Sequence, residues 1–288
     1  MILLEERLDV VKHAIEIFKQ QGSYIGEYNA ERVLFIGDTH GATNVTDLAK
    51  YYYDKVDLLV FLGDYVDRQP PNGIENLMSV LELLVNDRDK KVIVLRGNHE
   101  SPLTNYYYGF YQEVKEKVGE KYYSVFVELF SQMPVAVSVN GYFCTHGGLP
   151  GLYNAKGEME LGIDNVDDLY RLPKGDIIPD DPILFQLLWN DPNDSIDYFS
   201  LNRRGDGVFY FGRKITEEFL TRTGFRGVIR AHETADGFKI DHNGKVITVF
   251  SSIYHKQRAG LLFLNNMGEF SRIYINQDGT SEIVQGLY

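Results

Sequence analysis

The chain has 288 residues, 44% hydrophobic and 24% charged, which allows one large domain or two small ones with a sizeable core. Its net charge of −12, from 41 acidic against 29 basic residues, disfavours a general nucleic-acid binder, which needs basic surface to displace counterions. A single cysteine, Cys144, excludes an internal disulfide framework, and no apolar run approaches the ~20 residues of a membrane span. The start, Met1 to Glu6, is too short and too acidic for a signal peptide, so a cytoplasmic protein without a membrane partner is expected. Leu4, Leu8, Val11, Ile15 and Phe18 recur at spacings of four and three, predicting an N-terminal helix within residues 1–22, ended by Gly22. His13 lies off that stripe and reads as a surface residue. Three apolar runs follow, Val33 to Ile36, Leu58 to Leu62 and Val92 to Leu95, separated by helix-like segments at about 44–53 and 73–86. This alternation predicts βαβ units and a parallel sheet.

Asn72 with Glu75 predicts a capping box at the start of the second of these helices. Residues 105–130 read as tyrosine-rich helix, and the tyrosines at 51–53 and 106–108 as half-buried packing. Val135 to Thr145 predicts a hairpin turning on Asn140-Gly141, with Cys144 a buried strand thiol. Nine aspartates lie between 164 and 197; they read as solvated surface with helix caps more readily than as an attractor of basic phosphopeptides. After residue 235, segments paired around His242-Asn243-Gly244, where His242 is a turn residue, and around 265–269 predict mostly antiparallel strands. No repeat, low-complexity tract or Gly/Ser linker is present, so one α/β domain over 1–288 with an α+β-like C-terminal part is expected.

The chemistry gathers where apolar runs end. Gly37-Asp38-Thr39-His40-Gly41, Gly63-Asp64, Gly97-Asn98-His99-Glu100 and Thr145-His146-Gly147-Gly148 each carry metal-type ligands out of a predicted strand, where α/β sheets place their sites. Mixed Asp, Asn and His donors suit a borderline or hard divalent metal such as manganese, iron or zinc. A zinc-protease reading of His99-Glu100 or His232-Glu233 fails, because Leu103 and Asp236 stand where a second histidine is needed. No Walker-type phosphate loop exists, and Cys144 has no arginine at phosphate-cradle distance.

In order, the stretches GDTHG, GDYVDR, GNHE, HGG, LLWNDP, RRGDGVFYFG and RAHE, with TVFSSIY as a weaker match, span residues 37 to about 254. Together they resemble the phosphoprotein phosphatase family of metal-dependent serine/threonine phosphatases, within the calcineurin-like metallophosphoesterases. The resemblance implies a mixed β-sandwich flanked by helices, with a dinuclear metal site at the strand ends. It implies two divalent ions, manganese first and iron or zinc as alternatives. Asp38 and His40 would hold one, Asp64 would bridge both, and Asn98, His146 and His232 would hold the second. Arg68 and Arg204 would clamp the phosphate, with Asn98 and Tyr254 also touching substrate. His99 would protonate the leaving oxygen, Asp67 would orient His99, and Asp191 would support the site from behind.

The implied reaction is removal of phosphate from phosphoserine and phosphothreonine of proteins or peptides, by direct attack of a water bridging the metals. Regulatory subunits stay unspecified. A hydrolase of small phosphoesters or dinucleoside polyphosphates is the alternative within the superfamily, and a catalytically inactive binding protein the alternative outside enzymes. Two departures stand out. Gln69 replaces the family's usual glycine; it precedes Pro70, which favours extended backbone, and reads as part of a rebuilt connector. The segment Ser251 to Arg258 looks shortened, so inhibitor and regulator contacts are not carried over, and His255 within it reads as a solvated loop residue.

Overall fold

The computed structural model describes residues 2–68, 71–253 and 256–288, with side chains from residue 7 onward. The expectations placed on Gln69, Tyr254 and His255 lie outside the described residues.

Three strands, Val33–Ile36, Leu58–Phe61 and Val92–Val94, pair in parallel, as their apolar runs predicted. Helices Thr43–Tyr51 and Gly73–Asn86 connect them. The strands are apolar throughout because both faces are covered. Leu34, Ile36, Leu59 and Phe61 face a core shared with the N-terminal helix Ile2–Lys19, whose Val11, Ile15 and Phe18 are buried there. Val33, Phe35, Leu58 and Val60 point the other way, into a core between two sheets.

The chain's last three strands, Ala259–Leu264, Phe270–Ile275 and Ser281–Gln285, run as an antiparallel meander. Ala259–Leu264 joins the parallel strands by pairing antiparallel with Val33–Ile36, completing a six-stranded mixed sheet. A second six-stranded sheet holds Tyr24–Tyr28, Ala136–Val139, Tyr142–Thr145, Gly227–Arg230, Val246–Val249 and Phe238–Asp241. Its Val137, Cys144, Ile229 and Ile247 face the first sheet across the shared core. Its outer face is covered by helices Pro182–Trp189 and Arg213–Thr223 through Leu184, Leu187, Ile215 and Phe219. The result is a mixed sandwich with helices outside both sheets. Among the described residues, no helix is long and apolar enough to cross a membrane.

Several local expectations meet a different outcome. Tyr24–Tyr28 is a strand that periodicity did not reveal; it pairs parallel with Ala136–Val139. Val246–Val249, expected in an antiparallel region, is antiparallel to Phe238–Asp241 but parallel to Gly227–Arg230. The long helix at 105–130 is broken at Gly109 and Gly119, whose φ values of 116° and 114° lie in the left-handed region. The Asn72 side chain makes no capping bond; the Glu113 carboxylate instead accepts from the Gly73 and Ile74 N–H groups, both at 3.0 Å. A carboxylate brought in by tertiary contact has displaced the local cap. Tyr51 and Tyr106 to Tyr108 are exposed, not half-buried. His242 does sit in the turn His242–Gly244, but it is buried, with Nδ1 2.8 Å from Thr216 Oγ1. The hairpin turns as expected on Asn140 and Gly141, with φ of 50° and 77°.

Candidate active site

Five strands from both sheets deliver the site. Asp38, Asp64 and Asn98-His99 leave the carboxyl ends of the three parallel strands. His146 and His232 leave the carboxyl ends of Tyr142–Thr145 and Gly227–Arg230 in the facing sheet. The chain turns sharply at each exit. His40, Asp64, Asp67, Arg68 and His232 all have φ between 44° and 72°, which costs energy for residues other than glycine. Gly97 permits a close approach: a Cβ there would lie 2.2 Å from Asp64 Oδ1.

Asp64 is the geometric centre. Its Oδ1 lies 3.3 Å from His146 Nε2, and its Oδ2 lies 3.4 Å from His40 Nε2. The two oxygens of one carboxylate therefore face two separate imidazoles. Asp38 Oδ2 is 3.7 Å from His40 Nε2, while its Oδ1 accepts from His232 N–H at 2.7 Å. Asn98 Oδ1 is 3.0 Å from His146 Nε2.

Each candidate histidine ligand is tied by one nitrogen to a backbone carbonyl. His40 Nδ1 lies 2.8 Å from Val66 O, His146 Nδ1 lies 2.8 Å from Leu62 O, and His232 Nε2 lies 3.0 Å from Trp189 O. Such bonds fix the tautomer and turn the other nitrogen's lone pair inward, as metal-ligating histidines require. Burial pushes His40 down to about 3, and burial together with the Arg204 charge holds His232 well below its usual range, so both are neutral. The carboxylates strain against one another. Burial and then the Asp64 charge push Asp38 up to about 6 and Glu100 up to about 7. Buried carboxylate oxygens facing inward imidazole lone pairs form a donor set that divalent cations suit.

Two donor groups meet at Asp64: His40, Asp64 and His99, and Asp64, His146 and His232. His99 fits the first group by distance but not by chemistry. Its Nδ1 is held 2.8 Å from Asp67 Oδ2, and its Nε2 lies 3.3 Å from the Arg68 guanidinium, which can only donate. Both ring nitrogens thus have partners of their own, Asp67 and Arg68. Asp67 is itself fixed by Asn105 Nδ2 at 3.1 Å and Phe110 N–H at 2.8 Å.

Arg68, His99 and Arg204 line one cleft of about 350 Å³ with Asp38, His40, Asp64 and His232. The Arg204 guanidinium reaches it from a salt bridge to Asp191, with Nε 2.6 Å from Oδ2. Thus eleven of the twelve residues given a role in the sequence converge here, Asp191 included, and Tyr254 lies outside the described residues.

Three residues that matter were not visible as motif members with a role. Glu100 accepts from the N–H groups of Asp64, Tyr65 and Gly97 at 2.7, 2.9 and 2.8 Å, pinning two site loops together. Tyr108 packs its ring against both Arg68 and His99, with centroid distances of 4.5 and 5.0 Å. Arg230 is fully buried and bonds Gly147 O, Asp191 Oδ1 and Glu233 Oε2 at 2.6, 3.0 and 2.8 Å. It therefore ties the loop after His146 to the Arg204 support and to the residue after His232. Arg230→Met leaves Asp191 and Glu233 without that partner; we expect a loss of about 3–5 kcal/mol and a Tm lower by roughly 10 °C. An unchanged Tm in thermal denaturation would remove Arg230 from this role.

The sequence profile of calcineurin-like phosphoesterases matches residues 31–235. A protein named "Probable serine/threonine-protein phosphatase" from Encephalitozoon cuniculi is 36% identical over 226 residues, covering 76% of this chain and 46% of its own length. The serine/threonine-protein phosphatase 6 catalytic subunit of Caenorhabditis elegans is 32% identical over 244 residues, covering 79% of this chain and 66% of its own length. The chain thus spans about half of the first relative and about two thirds of the second. A solved protein serine/threonine phosphatase from Saccharomyces cerevisiae superposes with a TM-score of 0.79 at 25% identity, covering 99% of this chain and 90% of the other. With its sandwich, its candidate ligands at the strand ends and this profile match in agreement, the chain belongs to the calcineurin-like phosphoesterase family, whose chemistry uses divalent metals.

Proposed function

We propose that this chain removes phosphate from phosphoserine and phosphothreonine of proteins, working as one catalytic domain over 1–288 with two divalent cations, manganese first. The observation that carries the reading is Asp64, whose two oxygens face His40 and His146 beneath a cleft flanked by Arg68, Arg204 and His99. The serine/threonine phosphatase names of the relatives support the substrate class. Asp38, His40 and Asp64 would hold one cation, and Asp64, Asn98, His146 and His232 the other. When bound, the pair neutralises phosphoryl oxygens and lowers the pKa of the attacking water.

The chain's own residues do the rest. Arg204, fixed by Asp191, and Arg68, backed by Tyr108, offer planar forks to the phosphoryl oxygens. His99 presents Nε2 to the leaving serine or threonine oxygen and gives it a proton. Asp67 holds Nδ1, which keeps the ring aimed. The single cysteine, buried in its strand, suits a cytoplasmic setting. The test is a panel of phosphoserine, phosphothreonine and phosphotyrosine peptides beside diadenosine tetraphosphate, with manganese added to purified protein. Efficient cleavage of the first two peptide classes is expected. Cleavage of the dinucleotide far faster than any peptide would assign the site to the small-molecule branch.

A further inference from the structure

Asn105 is fully buried in the helix Pro102–Tyr108, which starts three residues after His99. Asparagine is a weak helix former, and a buried amide must find partners for its oxygen and its NH2 group. Asn105 finds them at the catalytic end. Its Nδ2 donates to Asp67 Oδ2 at 3.1 Å and to His99 O at 2.7 Å. A carboxylate and a carbonyl only accept, so the amide can stand only one way round, with Nδ2 toward this pair and Oδ1 turned away. Asn105 thus grips the carboxylate that orients His99 and the backbone of His99 itself.

The far side of the amide is also occupied. Asn105 Oδ1 accepts from the Tyr123 hydroxyl at 3.0 Å. Tyr123 opens the helix Tyr123–Gln132 and is 6% exposed. Its ring stands edge-on to Tyr111 and Tyr106, with centroids at 5.0 and 5.7 Å, and those two rings lie 4.3 Å apart. Such packing fixes where the hydroxyl points. Burial pushes the Tyr123 phenol up, so it remains a donor at neutral pH. The tyrosine-rich stretch therefore ends in a directed hydrogen bond behind the acid.

Asp67 needs the hold. Its φ of 67° lies in the left-handed region, a conformation that persists only where neighbours fix it. Phe110 N–H fixes Oδ1 at 2.8 Å, and Asn105 with His99 Nδ1 fixes Oδ2. Neither Asn105 nor Tyr123 is among the described residues that line the cleft, so both act through others.

We propose that Tyr123 is a positioning residue for proton delivery by His99: its hydroxyl locks the Asn105 amide, which holds Asp67 and the His99 backbone in register. This rests on the reading of His99 as the acid given above. Without the hydroxyl, the amide is free to turn over, and the turned amide sets Oδ1 against the Asp67 carboxylate, oxygen facing oxygen.

Tyr123→Phe keeps the ring and removes only the hydroxyl. With manganese added, kcat on a phosphothreonine peptide is expected to fall about five- to tenfold, the worth of one buried neutral hydrogen bond. KM and bound manganese stay at wild-type values, and the loss on nitrophenyl phosphate, whose leaving group needs no proton, stays below about twofold. In a His99→Ala background the same change is expected to lower peptide turnover by less than about twofold, because residues that act through one group are not additive. If Tyr123→Phe shows no folded thermal transition, Asn105→Ser carries the same comparison. No peptide loss, equal losses on both substrates, or a peptide loss that persists in the His99→Ala background overturns the role of Tyr123 and leaves His99 as the acid. If His99→Ala itself loses no more on the peptide than on nitrophenyl phosphate, the acid reading falls and the role of Tyr123 with it.

Discussion

Asp64→Asn is expected to lower divalent-cation affinity by more than about 100-fold, the upper figure for groups that merely orient metal ligands. At saturating substrate the same variant loses about 10³-fold in turnover, because several kcal/mol of charge stabilisation go with the cations. The change keeps the shape of the side chain but removes its charge. One oxygen becomes an NH2 group that cannot ligate, facing either His40 or His146. The effect on the fold is opposed. After burial, the Asp64 charge helps to push Asp38 to about 6 and Glu100 to about 7, so removing it relieves repulsion among buried carboxylates. Against burial, however, His146, His99 and His40 hold Asp64 itself well below the usual carboxylate range, and its Oδ1 accepts from His99 N–H at 2.9 Å, so the charge is also favoured in the folded chain. The thermal readout is therefore the response to metal: Asp64→Asn gains less Tm from added manganese than wild type does. An equal gain would take Asp64 out of the metal site.

His99→Ala is expected to cost about 10²–10⁴ in kcat on phosphoserine or phosphothreonine peptides, the usual worth of a positioned general acid. Metal content should stay at the wild-type level, because His99 Nδ1 is committed to Asp67 and Nε2 faces a guanidinium. The leaving group decides the size of the loss. An alkoxide needs a proton as it departs, whereas a nitrophenolate leaves without one. The variant should therefore lose far less on a nitrophenyl phosphate than on a peptide. Equal losses on both substrates, or loss of both cations on metal analysis, would make His99 a ligand in place of an acid.

Much of the candidate site could be read from the sequence because its candidate ligands follow short apolar strands directly. Val33 to Ile36 and Leu58 to Leu62 announce buried strands, and a glycine then an aspartate announces the exit of each. Helix Gly73–Asn86 was readable to the residue from the spacing of Ile74, Leu77, Leu81 and Leu84. What escaped depends on partners distant in sequence. The cap on that helix comes from Glu113, forty residues on, and overrides Asn72. Glu100 and Arg230 sit inside recognised motifs, yet their work is to bond loops that only the fold brings near. Strand Tyr24–Tyr28 alternates too weakly to announce itself, with burial mixed along its five residues. The exposed tyrosines at 106–108 carried no sign of their setting; Tyr108 takes its place from Arg68 and His99.

We propose that two cations, held around Asp64, would give this chain phosphoprotein phosphatase activity. Stripping the protein with chelator and returning manganese stepwise tests this, with bound metal and the initial rate on a phosphothreonine peptide measured in the same samples. Activity should be absent in the stripped protein and should rise to its plateau as the bound metal reaches two ions per chain. Full activity in stripped protein, or a plateau at a single bound ion, would contradict it.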